Sequence, residues 1–519
     1  MSGAWLGALL LVPWLNPYTH GPTPNAWPWL VSALCAVFLW LGRRELTAER
    51  LAAGWLAAAL ISALMALVQY FGLAALFSPW INQPRLGEAY ANLRQRNQFA
   101  TLTSIGLVAL IGWLALREKR ANSLSASCAS AASSASSASS ASSAPPTAAG
   151  PLPFWAYGAA LLLALANAAS SSRTGLLQWL LIAALTAWWA RTGGRRWRVF
   201  VLQTLLAYGV AILLMPVLFE LVTGQTASSA LRRLAEGDSL CSSRLTLWSN
   251  VLTLIAQKPW LGWGWGELDY AHFITLYPGP RFCEILDNAH NLPLHLAVEL
   301  GLPAAVLMCG AVIWVVWRAR PWRETHPARQ MAWAVLAVIA LHSLVEYPLW
   351  YGPFQIAVAL SVALLCWPIA QSMDDNGIKV SNTAVTPYLK ALAAIIMIVI
   401  LVSVAISYHR VSQIYLLPDE RSAAYRDNTL EKIRDSWLFP KQAQFAEFSI
   451  TPLTPQTAAE IHVMALDLLH YSPEPKVVQK LIESATMLNR DTEAVQYLAR
   501  YRAAFPADYA RWVQKNAPP

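Results

Sequence analysis

Charge is what this 519-residue chain has least of. Asp, Glu, Lys and Arg make up 13% of it, while 56% is hydrophobic. Soluble domains carry roughly 25% charge, so a chain this poor in it cannot cover a water-facing surface, and a soluble globular fold is excluded. Metal-ligand patterns are missing as well. There is no HExxH, no paired CxxC and no acidic cluster of the DxD kind, so the sequence offers no metal site and calls for no cofactor. The start lacks the basic n-region of a cleavable signal peptide, and Ala4–Leu15 reads as a retained first span. A net charge of +9 in a soluble protein would suggest nucleic acid. Here its distribution points to membrane topology instead, and no nucleic-acid partner is expected.

What is there is a series of apolar runs long enough to cross a bilayer. They fall at roughly 4–19, 27–42, 51–77, 98–116, 153–170, 174–190, 199–222, 291–317, 331–350, 353–371 and 388–409. The expected fold is therefore an all-α polytopic membrane protein with about 11 (10–13) transmembrane helices. The loops 43–50, 117–120, 191–198 and 318–329 are basic, whereas 16–26 and 342–353 contain no Lys or Arg. By the positive-inside rule the basic loops are cytoplasmic, the stretch 223–290 is a large outward loop, and the tail lies outside. Most of the 25 Trp residues read as interfacial anchors.

Four segments follow from this pattern. Residues 1–222 hold the N-terminal spans, with a Ser/Ala tract at 121–150 expected to be a disordered cytoplasmic linker because it has few large apolar groups to offset ordering entropy. The large loop occupies 223–290, and 291–409 returns to the membrane. Residues 410–519 are charged, with apolar stripes at helical spacing such as Ile461, Met464 and Leu468, and Val495, Leu498 and Tyr501. They read as a small helical domain of paired helices, possible in a tetratricopeptide-like form, with Asp491 as the N-cap of the last helix. That domain is either a structural cap or a docking surface. Cys35, Cys309 and Cys366 lie in apolar runs and read as packing residues. Cys241 and Cys283 share the outward loop, where a disulfide or two free thiols are the alternatives.

The polar residues that break the pattern collect toward the outward face. His290 ends the large loop, and the following Asn291 is placed to fix its tautomer. A neutral imidazole there can accept a proton from an attacking hydroxyl. His295 is five residues on and faces elsewhere, so no i, i+4 metal pair is offered. Arg244 in SSRLTLWSN and Arg173 in SSSRTG lie at span or loop ends. Each either snorkels to headgroups or grips phosphate oxygens through paired hydrogen bonds. The loop 78–97, which ends in EAYANLRQRNQFAT, puts Arg85, Arg94 and Arg96 on the outer side against the positive-inside bias, for anionic lipid or pyrophosphate or for ordinary headgroup contact. HSLVEYPLWYGPF brings Glu346, Tyr347 and Tyr351, as an acceptor rim or as interfacial aromatics.

Taken in order, these residues resemble a known family. His290-Asn291 followed nine residues later by Gly301, the Arg244 segment with Trp248, Pro259 and glycines 262, 264 and 266, and Arg173 are similar to the O-antigen ligase and polymerase superfamily. NLRQRNQFATL and HSLVEYPLWYGPF look like the pilin-directed protein O-oligosaccharyltransferases of that superfamily. The resemblance implies a GT-C-like glycosyltransferase of the bacterial cell inner membrane, with its active site facing the periplasm. It implies an undecaprenyl-pyrophosphate-linked glycan as donor and a Ser or Thr hydroxyl of a pilin or other periplasmic protein as acceptor. His290 would be the base, Arg173 and Arg244 would hold pyrophosphate, and Gln95, Arg96, Asn97, Asn291, Glu346, Tyr347 and Tyr351 would contact substrate. Lipid A core as acceptor, as in an O-antigen ligase, and a second lipid-linked glycan, as in a Wzy-type polymerase, are the alternatives. A transporter or flippase is a remote one.

Overall fold

The computed structural model describes residues 4–18, 25–135, 152–192, 194–226, 240–366 and 387–516. Among these residues the chain is helical and contains no strand. The first apolar block comprises α1 (Ala4–Leu15), α2 (Trp27–Leu41), α3 (Ala48–Tyr70), α4 (Arg96–Ala135), α5 (Phe154–Ala169), α6 (Arg173–Trp189) and α7 (Arg195–Thr223). The large loop holds α8 (Arg244–Gln257) and α9 (Leu268–Ile274). The second apolar block comprises α10 (Leu292–Leu300), α11 (Leu302–Ala319), α12 (Pro327–Ser343), α13 (Gly352–Cys366) and α14 (Pro387–Ser412). The tail holds α15 (Thr429–Ile433), α16 (Pro440–Ile450), α17 (Ala458–Leu468), α18 (Pro475–Met487), α19 (Asp491–Ala504) and α20 (Pro506–Asn516).

Five segments are long and apolar enough to cross a bilayer: Ala48–Tyr70, Arg96–Ser125, Arg195–Thr223, Leu302–Arg323 and Tyr388–Tyr415. The protein is a multi-pass membrane protein. Its helix starts are written in the sequence. Thr47 Oγ1 accepts from Arg50 N, Ser172 Oγ from Gly175 N, Ser243 Oγ from Thr246 N and Asn291 Oδ1 from Leu294 N, which satisfies backbone donors that helix geometry orphans.

The bundle is organised around α4, whose apolar window is 83% buried, against 6% for α11 and 6% for α14. Small residues let the backbones close in. A Cβ at Gly106 would meet Ala59 Cβ at 2.3 Å, and one at Gly112 would meet Met331 Sδ at 2.8 Å. Buried polar side chains then tie α4 to its neighbours. Asn167 Nδ2 of α5 donates to Thr103 Oγ1 at 2.7 Å and Tyr208 OH of α7 donates to Asn167 Oδ1 at 3.0 Å. Gln178 Nε2 of α6 donates to Thr101 Oγ1 at 2.7 Å, and that hydroxyl also meets His342 Nδ1 of α12 at 2.9 Å.

The basic segments meet at one end of this bundle. Arg120 pairs with Glu49 at 3.6 Å, Arg196 pairs with Glu118, and Trp189 Nε1 donates to Pro321 O at 2.9 Å. The large loop closes over the other end. Its core is built from Leu247, Val251 and Leu254 of α8 against Phe282, Leu286 and Ala289. A disulfide joins Cys241 to Cys283, with Cα atoms 5.2 Å apart. The tail sits on this loop. Phe273 belongs to the tail's apolar core, Tyr270 stacks on His470 at 3.8 Å, and Arg500 Nε donates to Ile274 O at 3.0 Å.

Several expectations change. Residues 121–135, expected to be disordered, continue α4 as helix. Alanine has the highest helix propensity, and Ser123 and Ser125 turn their hydroxyls back onto Arg120 O and Ala121 O. The rest of that tract, 136–150, lies outside the described residues, as does 227–239 of the large loop. The run 291–317 is not one helix: it breaks at Gly301 (φ 87°) into α10 and α11. Asp491 is the first helical residue of α19 and not its cap; its carboxylate lies in the first turn, where the helix dipole favours negative charge. Val495 is exposed, not packed, and so is Cys366.

Candidate active site

The site begins with the end of α12. Beyond Ser343 the backbone turns once more, with Glu346 N donating to His342 O at 2.8 Å. This leaves Glu346 buried, 4% exposed, where four donors reach it. Arg244 Nη2 and Asn97 Nδ2 (3.1 Å) bond Oε1, while His290 Nδ1 (2.8 Å) and Gln95 Nε2 (3.2 Å) bond Oε2. Burial alone would raise the carboxyl pKa. The hydrogen bond and charge of His290, then the charge of Arg244, outweigh it and hold it at about 2. Glu346 is thus an anion at the centre of the cluster.

Each donor is delivered by a different element. Arg244 is the first residue of α8, three positions after Cys241, and Trp248 Nε1 donates to Ala289 O at 3.1 Å, which fastens α8 to the strand of loop before His290. His290 itself is left-handed (φ 50°), and its N–H is held by Asn288 Oδ1 at 2.7 Å. A non-glycine residue there carries a conformational cost of about 1–3 kcal/mol, so the surrounding contacts must impose the conformation. Tyr347 packs edge-on against the imidazole at 4.9 Å, and Tyr347 stacks with Tyr351 at 6.2 Å.

Arg173 joins through the backbone. Asn97 Oδ1 accepts from Ser172 Oγ at 2.7 Å, and Ser172 caps α6, whose first residue is Arg173. The polar chain therefore runs from the start of α6 through Asn97 and Glu346 to His290 and Arg244. Two of the sequence candidates do different work. Arg96 turns to Glu88, 3.4 Å away. Asn291 does not fix the imidazole tautomer: its Oδ1 caps α10 and its Nδ2 donates to Leu344 O at 2.9 Å. The Nδ1–H faces Glu346 Oε2, which as a carboxylate accepts the hydrogen bond. Sequence reasoning also missed Ser172, Asn288 and Asp287; burial pushes the Asp287 carboxyl up against the opposing pull of His290, and its charge acts on Tyr347 and Tyr351. The Asx pattern of Asn288 two residues before a loop histidine was a usable signal; the role of Ser172 was not visible without its partner.

The glycine and tryptophan run packs on the far end of α10, the helix that follows His290. Trp263 N and Gly264 N donate to Val298 O (2.9 Å) and Glu299 O (3.0 Å), which satisfies carbonyls at the end of α10. A Cβ at Gly262 would stand 2.3 Å from Glu299 O, and one at Gly301 2.2 Å from Trp260 O. The two glycines are needed because backbone meets backbone there. Among the described residues no three His, Cys, Asp or Glu side chains gather to hold a metal ion.

The fold and this cluster define a polytopic helical membrane protein with a His–Glu–Arg centre where a folded loop meets the bundle. Residues 158–309 match the O-antigen ligase family, residues 89–115 the protein glycosylation ligase family, and residues 330–518 the C-terminal region of virulence-factor membrane-bound polymerases. The chain is similar to two proteins of Acinetobacter baylyi (strain ATCC 33305 / BD413 / ADP1). One is a general O-oligosaccharyltransferase, 24% identical over 322 residues, 60% of this chain and 49% of the relative. The other is a ComP-specific O-oligosaccharyltransferase, 26% identical over 297 residues, 57% of this chain and 46% of the relative. The chain spans about half the length of these curated relatives. No solved structure matches it. The chain therefore resembles the bacterial protein O-oligosaccharyltransferases of the O-antigen ligase superfamily.

Proposed function

We propose that this protein is a glycosyltransferase that moves a glycan from undecaprenyl pyrophosphate to a Ser or Thr hydroxyl of a pilin or other periplasmic protein. In this reading its apolar helices form about eleven spans of the bacterial inner membrane, and the large loop and tail face the periplasm. The observation that carries it is the convergence of His290, Arg244 and Asn97 on one buried carboxylate.

The chemistry follows from that convergence. With Glu346 bound at Nδ1, the imidazole proton sits there and Nε2 presents a lone pair. Nε2 takes the proton of the acceptor hydroxyl as its oxygen bonds to the anomeric carbon. The bond from that carbon to the phosphate oxygen breaks, and its electron pair leaves with the pyrophosphate, so the anomeric centre inverts. Arg244 uses one amine on Glu346, and its guanidinium carries five donors, enough to hold a phosphate oxygen as well. Arg173, at the start of α6, adds the second cation on the leaving group. Gln95 and Asn97 keep Glu346 in place, and Tyr347 and Tyr351 form a rim for the acceptor.

The match of residues 330–518 to membrane-bound polymerases favours a second reading, in which the acceptor is another lipid-linked glycan, and the O-antigen ligase match keeps lipid A core as a further acceptor. Purified protein in vesicles, supplied with a lipid-linked glycan and a pilin, is expected to yield a glycan mass shift on a pilin Ser or Thr peptide. An unmodified pilin, with lengthened lipid-linked glycan or glycosylated lipid A core in parallel reactions, would overturn the protein-directed reading.

A further inference from the structure

A cavity of about 410 Å³ lies between α4, α6 and α12, at the end of the bundle away from His290. Its size is within the ~300–1,000 Å³ of small-molecule sites. Along α4 it extends from Val108 to Asn122, about 21 Å at the rise of an α-helix. The deep part is apolar, with Val108, Ile111 and Ile182 on its walls. The mouth is polar, with Glu118, Lys119, Asn122, Thr325 and Gln330.

Charge at the mouth selects the head. The segments 117–120, 191–198 and 318–329 contribute three, four and four Lys or Arg, against Glu118 and Glu324 alone. Both carboxylates are already taken, Glu118 by Arg196 and Glu324 by Arg329. Lys119 makes no ion pair among the described residues, and His326 lies near enough to feel its charge. An apolar cavity running along α4 under a cationic rim fits an amphiphile with an acyl chain inside and an anionic group outside.

We propose that this cavity holds one acyl chain of an anionic phospholipid from the leaflet at the basic end, with its headgroup phosphate on Lys119. The lipid occupies the gap between the same three helices whose opposite ends carry Asn97, Arg173 and Glu346. The proposal concerns the end of the bundle remote from the proposed transfer chemistry, and it is tested without any glycan.

The experiment is native mass spectrometry of the full-length, delipidated protein titrated with phosphatidylglycerol or phosphatidylcholine. The wild type is expected to keep one phosphatidylglycerol, at least tenfold more tightly than phosphatidylcholine. Ala115→Phe, which places a ring in the cavity, is expected to lose the retained lipid of either kind. Lys119→Glu, an exposed change that leaves the fold intact, is expected to abolish the preference while one lipid still binds. Equal binding of the two lipids by the wild type, an undiminished preference in Lys119→Glu, or retention of the lipid by a folded Ala115→Phe would overturn it.

Discussion

The large loop contains two histidines in opposite circumstances. His272, in α9, is 2% exposed, and both its ring nitrogens are bonded, to Tyr277 OH at 2.8 Å and Phe282 O at 3.1 Å. His290 keeps 17% of its side chain exposed, bonds Glu346 through Nδ1, and makes no hydrogen bond through Nε2 among the described residues. Burial, then the charge of Arg281, pushes the pKa of His272 down to about 3, with no carboxylate partner to oppose it. An imidazole closed off by two neutral partners is a packing element that must stay uncharged. One held on a carboxylate with a nitrogen left over is equipped to receive a proton. The lesson is that the partner atoms, and not loop membership or burial alone, separate the two roles.

The sharpest way to break this comparison is to remove each ring in turn. His290→Ala is expected to lower glycan transfer by roughly 10²–10⁴-fold, the usual worth of a general base, and also to lower the melting temperature, because buried Glu346 loses its imidazole hydrogen-bond partner. Transfer assayed with lipid-linked glycan, alongside a melting curve on the same sample, measures both. Transfer preserved in His290→Ala, or lost in His272→Ala at unchanged stability, would reverse the assignment.

Glu346→Gln comes next. The amide keeps the shape but brings an N–H toward Arg244 or His290, both of which are donors, and removes the charge. A loss of roughly 10²-fold in transfer is expected, comparable to deleting one electrostatic partner in an active site. The variant also reports on pH. The pKa of Glu346 is lowered from 4.5 to about 2, so its stabilisation is fully present above pH 4.5 and is lost as pH falls through 2. The shift corresponds to on the order of 3 kcal/mol. Denaturation curves of wild type should weaken across that window, and those of Glu346→Gln should lack this component.

His272→Ala is the complementary test, with its effect on stability. It leaves Tyr277 OH and Phe282 O without their partner inside the loop, at an expected cost of roughly 2–3 kcal/mol. In the wild type the folded pKa is depressed from 6.5 to about 3. The stability it contributes is therefore present above pH 6.5 and declines as pH falls toward 3, because the unfolded chain takes up the proton first. Unfolding followed between pH 7 and 4 should show a slope in wild type that is reduced in the variant.

Some of this was legible in the sequence, and the reasons differ by residue. His290 and Arg244 stood out because polar groups at the edge of a long loop interrupt a strong apolar pattern. Gln95 and Asn97 follow from the resemblance and Glu346 from its place at the outer end of an apolar run, but their meeting depends on packing between segments about 250 residues apart, which no local pattern encodes. Arg96 and Asn97 are neighbours in the chain, yet only Asn97 reaches the carboxylate; one residue of helix rotation sends Arg96 to Glu88. The helix through 121–135 was missed because low complexity was read as disorder, although alanine and serine hold a helix that begins in the bundle. The break at Gly301 was hidden inside a continuous apolar run, since hydropathy does not register a left-handed glycine required by backbone contact with Trp260.

Asn291 gives the finest test, because two accounts of it predict different outcomes. If it fixed the tautomer of His290, any replacement would abolish transfer as His290→Ala does. Its observed bonds are to Leu294 N and Leu344 O, so its task is to start α10 and to tie that start to the turn bearing Glu346. Losing a cap costs about 1 kcal/mol, and Asn291→Ala should lower stability by that amount and transfer by less than tenfold. Serine caps a helix nearly as well as asparagine, but its single short hydroxyl does not extend to Leu344 O as the amide Nδ2 does. Asn291→Ser should therefore regain most of the stability while keeping the small loss in transfer. That split, measured by melting curves and rates on the two variants together, assigns the cap and the tie to separate atoms of one side chain. A loss of transfer in Asn291→Ser as deep as that in His290→Ala would return the tautomer to Asn291 and remove Glu346 from its place beside the base.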